Sequence, residues 1–347
     1  MGPLSDAMKV NNTRGILGNK DIDYEIDWTT LGEYLEALER RGVSCNVTSF
    51  VGTGTLRRYV IGGDDRDPTP AELDIMRALV RQAMEDGAVG MSAALIYPPV
   101  SYAKTEEIIE LAKVVAEYDG LYISHLRSEG AAFFEALDEI MTISRSAGVR
   151  AEIYHLKAAG RPNWDKLDEA IRRIEAARAD GLPLMADMYM YRVSGTGLDA
   201  CLPPWAHDGG ERALLTRLKD PETRARIKAD MNTPSTTWET MWLNVGSPER
   251  IILAGLNVAP LKRLQDAIRR LTSFPASTWH IRARGSLTPG YFADVVAYDP
   301  AAIQDHATYV QPHQYATGMQ HVFVNGVQVL AHGEHTGAKS GRVVRRV

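Results

Sequence analysis

The stretch Leu121-Tyr122-Ile123-Ser124-His125-Leu126 and its echo Ile153-Tyr154-His155-Leu156, thirty residues further on, decide how this chain folds. Each is a short apolar run that ends in a polar pair, Ser124-His125 or Tyr154-His155. A thirty-residue spacing is too long for a hairpin. It suits a strand followed by a helix that returns the chain to lay down the next strand in parallel. Working outward, similar apolar runs lie at Val43–Val51, Val89–Ile96, Ala151–Leu156 and Leu182–Tyr191. Helical periodicity fills the gaps over Ala71–Asp86, Glu106–Tyr118, Ala131–Ala147 and Asp165–Ala179. Thr69-Pro70-Ala71-Glu72 has the makings of a capping box with proline at the first helical position. Gly87, Gly120, Gly148 and Gly181 each follow a helical run, where a left-handed cap suits a residue without a Cβ.

The runs are apolar on both faces, which predicts a parallel sheet covered by helices and an α/β fold. Periodicity fits a (β/α)8 barrel and a doubly wound sheet equally. His125, His155 and Asp187 fall at or near strand C-terminal ends, the catalytic face of a barrel, although an open sheet also binds ligands at that edge. Beyond Tyr191 the pattern changes to loop, a charged helical stretch at Glu211–Met231, a strand at Glu249–Ala254 and a helix at Pro260–Leu271. The tail reads as strands at Asp294–Tyr298 and His321–Val324, a hairpin turn at Asn325-Gly326, and a strand at Val327–Leu330. These signals divide the chain into a loop region at 1–28, an α/β domain at 29–283 and a small β domain at 284–347.

Composition narrows the classes. The chain has 347 residues, 39 Lys+Arg against 44 Asp+Glu, a formal charge of −5, and 45% hydrophobic residues. That apolar fraction excludes a disordered or collagenous chain. With Cys45 and Cys201 as the only thiols, a disulfide scaffold is excluded too. Slight acidity without long Lys/Arg runs argues against nucleic acid as the partner. No apolar stretch approaches the roughly 20 residues of a membrane span, and no basic-then-apolar leader opens the chain; the expected compartment is the cytoplasm.

His125 and His155 occupy equivalent places in adjacent βα units, an arrangement suited to gripping one divalent metal. The alternative is two polar residues that close strands and bond neighbouring loops. Two histidines are also fewer than the three protein ligands usual for a catalytic zinc. Asp187 is either a carboxylate ligand or base, or a loop cap. Lys157 and Arg127, each two residues after a histidine, either meet a substrate carboxylate or stand in solvent. Tyr97, Tyr189 and Tyr191 either line a pocket or pack. Gly52-Thr53-Gly54-Thr55 lacks the Lys-Ser/Thr of a phosphate-binding loop. His332-Gly333-Glu334-His335 resembles a metal motif in letters but falls in a Gly-rich hairpin.

These residues, with their surroundings, resemble the D-aminoacylase (N-acyl-D-amino-acid deacylase) group of the amidohydrolase superfamily. The matching stretches include Trp28-Thr29-Thr30-Leu31, Asn46-Val47-Thr48-Ser49-Phe50-Val51-Gly52, Leu95-Ile96-Tyr97-Pro98-Pro99 and Ile123-Ser124-His125-Leu126-Arg127-Ser128-Glu129-Gly130. Others are Glu152-Ile153-Tyr154-His155-Leu156-Lys157, Ala186-Asp187-Met188-Tyr189-Met190-Tyr191, Leu202-Pro203-Pro204-Trp205 and Pro289-Gly290-Tyr291-Phe292-Ala293-Asp294. The resemblance implies a metal-dependent barrel with a small β-sandwich, hydrolysing the amide of N-acylated D-amino acids. It also implies that His125 and His155 are the zinc-binding histidines after the fifth and sixth barrel strands. Tyr97, Lys157 and Tyr189 match positions that help hold the substrate.

Departures from the family pattern shape the expectation. The family carries a His-X-His pair after the first barrel strand, then a Cys or Glu metal ligand. This chain has no His-X-His, and Met1-Gly2-Pro3-Leu4 resembles sequence just beyond that second ligand. The family also has a Ser-Asp with the catalytic aspartate and a downstream His-Pro-Arg. Here Ile252-Leu253-Ala254-Gly255 runs almost directly into Leu261-Lys262-Arg263. The resemblance therefore covers strands three to seven of an incomplete eight-stranded barrel, with a weak or incomplete zinc site and no assigned base. Two readings follow: an amidohydrolase, or a non-catalytic remnant or binding protein that keeps the fold. An oligomer, or a partner chain completing the barrel, is compatible with either.

Overall fold

A computed structural model describes residues 2–9, 26–189, 194–247, 268–269, 271–306 and 314–345. They fall in two compact units. One is drawn from Met1–Leu31, Phe50–Tyr189 and Thr196–Ile251, the other from Gly32–Ser49, Met190–Gly195 and Ile252–Val347.

The first unit is built on five parallel strands: β1 Val51–Gly52, β2 Gly90–Ala94, β3 Leu121–His125, β4 Arg150–Ile153 and β5 Leu184–Ala186. They lie side by side in chain order. A doubly wound sheet reverses direction at a switch point. The unbroken progression seen here is that of a barrel wall, which resolves the choice that periodicity left open. The register sets Ala94 beside His125, and Ser124 beside Ile153. Successive strands therefore end at one common edge.

Helices Pro70–Glu85, Thr105–Glu117, Phe133–Ala147 and Lys166–Ala179 fill the crossovers, within a residue or two of the periodic runs. Thr69 and Glu72 form the capping box expected of them, and Gly148 closes its helix at φ +67°. The helices bury Met76, Val80, Ile108, Leu111, Val115, Leu137 and Ile140, while all five residues of β3 are buried. Each such aliphatic side chain contributes about 1.5–3 kcal/mol on burial. Truncating fully buried Ile123 to Ala would cost about 2–5 kcal/mol. Gly90 is obligatory: a Cβ there would stand 1.9 Å from the Leu121 carbonyl oxygen and force β2 and β3 apart.

Some expected elements are shorter or divided. The run Val43–Val51 supplies only Val51 to the parallel sheet, because Val47 instead forms an isolated bridge with Val343. Of Leu182–Tyr191, residues 184–186 are strand, and 190–191 lie outside the described residues. Glu211–Met231 is two helices, Glu211–Lys219 and Pro221–Met231. Pro221 cannot donate into a continuing helix, and Asp220 caps the second one by accepting from the Thr223 N–H at 2.8 Å. Residues 6–9 are helical, where 1–28 reads as loop, and Leu4, Met8, Ile26 and Trp28 are buried. The strand expected at Glu249–Ala254 lies outside the described residues, as does most of Pro260–Leu271.

The second unit carries an antiparallel sheet of β6 Val295–Tyr298, β7 Met319–Val324, β8 Val327–Ala331 and β9 Glu334–His335. Asn325 (φ +51°) and Gly326 (φ +82°) make the β7–β8 turn, both in the left-handed region that a tight hairpin demands. Asp294 anchors this turn, accepting from the Asn325 N–H at 2.8 Å and from the Asn46 amide at 2.9 Å, and it pairs with Arg284. No helix among the described residues is long and apolar enough to cross a membrane.

Candidate metal centre

His125 is the last residue of β3, and His155 sits in the turn that leaves β4. His155 has φ +39°, uncommon for a residue with a Cβ. Asp187, just past β5, holds that turn. Its carboxylate accepts the His155 N–H, its carbonyl accepts the Leu156 N–H at 2.8 Å, and its own N–H donates to Ile153 at 3.0 Å. Of the two roles open to Asp187, the geometry is that of a loop cap.

The two rings meet edge-on, with centroids 4.6 Å apart and planes at 69°, and His125 Nδ1 lies 3.0 Å from His155 Nε2. Glu129, four residues after His125, turns back into the same space. Its Oε1 lies 3.0 Å from His155 Nδ1, 3.5 Å from His125 Nδ1 and 2.6 Å from Lys157 Nζ. Lys157 Nζ is also 2.7 Å from His155 Nδ1. His155 Nδ1 therefore faces both a donor, the Lys157 ammonium, and an acceptor, the Glu129 carboxylate. His125 Nε2 is buried and has no hydrogen-bond partner among the described residues.

Electrostatics follow from burial. Desolvation pulls His125 down to about 4, helped by His155 and Lys157 and opposed by Glu129, so the imidazole is neutral at pH 7. Burial alone would raise the Glu129 carboxyl, but hydrogen bonding from His155 together with the charge and hydrogen bond of Lys157 outweighs it and holds it below the usual carboxylate range. Burial raises Asp187, against the pull of the His155 N–H.

This donor set fits a divalent transition metal. A neutral buried imidazole, a second imidazole and an ionised carboxylate offer ligand atoms all within 4.8 Å of one another. A buried ring nitrogen without a partner is itself a mark of a ligand position. The remaining substrate-binding candidates gather at the same place. The Tyr97 ring lies 5.9 Å from that of His125, and its hydroxyl is 2.7 Å from Thr196 Oγ1. The Tyr189 ring lies 6.0 Å from that of His155 and 5.5 Å from Lys157 Nζ.

Other candidates stand elsewhere. Arg127 is neither solvated nor free for substrate, being forked onto Glu139 at 2.8 and 2.9 Å and bonded to the Ser101 and Ala103 carbonyls. Thr53 is buried at the start of a helix and donates to Ser92 at 3.0 Å, which makes the Gly-Thr-Gly-Thr run structural. Glu334 and His335 are exposed on β9, with His335 Nε2 3.0 Å from Ser44 Oγ. Cys45 is exposed and Cys201 is buried. Tyr191 lies outside the described residues.

Spacing alone did not single out Glu129 or Glu239. The buried Glu239 carboxylate accepts from Ser128 Oγ at 2.6 Å, from the Glu129 N–H at 3.0 Å and from the Asn244 amide, and so fixes the turn that presents Glu129. Glu129 had a sequence signal, a carboxylate one helical turn past a candidate ligand. Glu239 had none, since it arrives from more than a hundred residues away.

No family model matches the chain. Comparison with known proteins finds the D-aminoacylase of Alcaligenes xylosoxydans xylosoxydans, 31% identical over 363 residues, or 90% of this chain and 73% of the relative. The N-acyl-D-aspartate deacylase of the same organism is 31% identical over 98% of this chain and 75% of its own length. Among solved structures, a D-aminoacylase described through its binuclear metal centre superposes with a TM-score of 0.71 at 27% identity, covering 92% of this chain and 76% of that one. The N-acyl-D-glutamate deacylase of Bordetella bronchiseptica, complexed with zinc and a phosphonate mimic of the tetrahedral intermediate, gives 0.70 at 25%, covering 94% and 77%. At 31% identity across nearly the whole chain, these parallel strands with two histidines at their ends belong to the D-aminoacylase family of amidohydrolases.

Proposed function

We propose that this protein is a zinc-dependent amidohydrolase acting on the amide of N-acyl-D-amino acids, with His125 and His155 holding the metal. The observation that carries the reading is the 3.0 Å approach of the two imidazoles at the ends of neighbouring strands. The named relatives act on small N-acylated amino acids, and this chain takes over that substrate class. When bound, zinc polarises the amide carbonyl and lowers the pKa of a coordinated water.

The chain's own side chains supply the rest. His125, sealed by burial, stays neutral and therefore ligand-competent across the physiological range. His155 is the more exposed of the pair, so substrate approaches from its side. Lys157 presents an ammonium there for the substrate carboxylate, and Tyr189 covers it. Tyr97 offers a hydroxyl backed by Thr196. In this reading the chemistry belongs to residues 29–283, and the small β domain at 284–347 holds none of the site. The free thiols suit a reducing, cytoplasmic setting.

Among the described residues the carboxylates at the site, Glu129 and Asp187, are both engaged by neighbours. A positioned general base contributes about 10²–10⁴-fold, so turnover is expected to be zinc-dependent but slower than that of the relatives by a factor of that order. The test is zinc content by mass spectrometry together with release of free amino acid from N-acetyl-D- and N-acetyl-L-substrates. D-selective hydrolysis that stops on chelation and returns with zinc supports the reading. Hydrolysis untouched by complete zinc removal, or a protein that takes up no zinc, overturns it.

A further inference from the structure

We infer that Glu129 is the third protein ligand of this centre, completing a two-histidine, one-carboxylate set. The inference rests on the zinc reading above and asks which of the chain's own residues fill that shell. A catalytic zinc usually has three protein ligands and one open position. Among the described residues, the one group of three potential ligands drawn close enough is His125, Glu129 and His155.

Glu129 is built into place rather than left to wander. Its N–H donates to Glu239 at 3.0 Å and its carbonyl accepts from the Ala159 N–H at 2.6 Å, so both sides of its peptide are pinned. A Cβ on Gly130, the next residue, would come within 2.5 and 2.7 Å of the side-chain ends of Asn244 and Glu239, so a larger residue there would displace the groups that hold this turn. The Glu129 side chain is buried, a costly place for a carboxylate unless a cation meets it. A cation already does: the Lys157 ammonium bridges Glu129 Oε1 and His155 Nδ1 at 2.6 and 2.7 Å. A divalent ion drawn to the same acceptors competes with that ammonium. Its binding frees Lys157 for the substrate carboxylate, which couples metal loading to substrate capture.

The rival role for Glu129 is that of a clamp on Lys157, with no contact to metal. Zinc affinity, read by competition with a chromophoric chelator, and the visible spectrum of the cobalt-substituted protein separate the two. Glu129→Gln is expected to weaken zinc by about 100-fold or more, beyond the 10–100-fold of an outer-sphere contact, and to alter the cobalt bands. Lys157→Met is expected to leave zinc affinity unchanged or improved. Glu129→Asp keeps the charge opposite Lys157 but shortens its reach; it folds if Gln does not, and is expected to weaken zinc by about tenfold. If zinc binds either Glu129 variant as tightly as the unsubstituted protein with an unchanged cobalt spectrum, the ligand role is overturned while the two-histidine reading stands. An unsubstituted protein that binds no zinc overturns both.

Discussion

Two pairs of imidazoles stand in nearly the same ring geometry in the two units of this protein. His125 and His155 meet with centroids 4.6 Å apart and planes at 69°, and His321 and His332 with centroids 4.8 Å apart at 76°. Their surroundings differ. The first pair lies at the end of a buried parallel sheet, with an ionised Glu129 against both rings and the Lys157 ammonium between. The second sits on an antiparallel hairpin, with His332 exposed and His321 bonded to the Gln328 amide at 3.0 Å. Ring proximity is cheap, since any hairpin can bring two side chains together. A metal centre needs the costlier combination of burial, a carboxylate and a neutral imidazole.

The largest effect should come from deleting one ring of each pair. His155→Ala is expected to abolish stoichiometric zinc uptake and with it the D-selective hydrolysis. His332→Ala should leave both as they are. Metal analysis of the two purified variants checks this, and zinc lost from the His332 variant would break the contrast.

Next in size is the support behind Glu129. Glu239→Ala strips acceptors from Ser128 Oγ and the Glu129 N–H, both buried. An unmatched buried donor costs about 1–3 kcal/mol, and a displaced support costs about 10–100-fold in metal affinity. Urea titration and chelator competition on the same sample read both. Full stability with reduced zinc affinity would sharpen the case that Glu239 acts through Glu129.

Acid should also single out the buried imidazole of His125. His125 is depressed from 6.5 to about 4 in the folded protein, so between those values the unfolded chain binds more protons than the folded one. Stability present above pH 6.5 is therefore lost as pH falls toward 4, by up to about 3 kcal/mol, and no further below that. Urea midpoints with the metal chelated, compared with those of His125→Gln, isolate this contribution. Equal slopes in the two proteins would show that His125 is not the group responsible.

The sequence made the frame legible where local chemistry and global fold agree. Thr69 and Glu72 announced their helix, Gly148 its end, and the thirty-residue interval from His125 to His155 the parallel wall. Choosing barrel wall over doubly wound sheet required strand order, which no apolar run encodes. The break at Asp220-Pro221 was written in the sequence, yet helical periodicity on both sides hid it. Of the candidate site, the rings could be read because they repeat with the strands. Arg127 shares its offset with Lys157, but only the fold reveals that Glu139 captures one while the other faces the imidazoles. Glu239 could not be read at all, because its partnership with residues 128–130 spans a gap that follows no periodicity.

The smallest expected effect lies in the second unit, where the Asn325-Gly326 turn sets the register of β7 on β8. Gly326 has φ +82°, and a Cβ there would meet nothing closer than Ala293 at 4.0 Å. Gly326→Ala therefore incurs no steric clash, only the backbone strain of a left-handed conformation, about 1 kcal/mol. Thermal unfolding should detect that loss while zinc content stays unchanged, because no ligand belongs to this hairpin. Zinc that fell in step with it would mean that the hairpin's imidazoles matter to the metal after all. The contrast between the two pairs would then rest on something other than burial and a carboxylate.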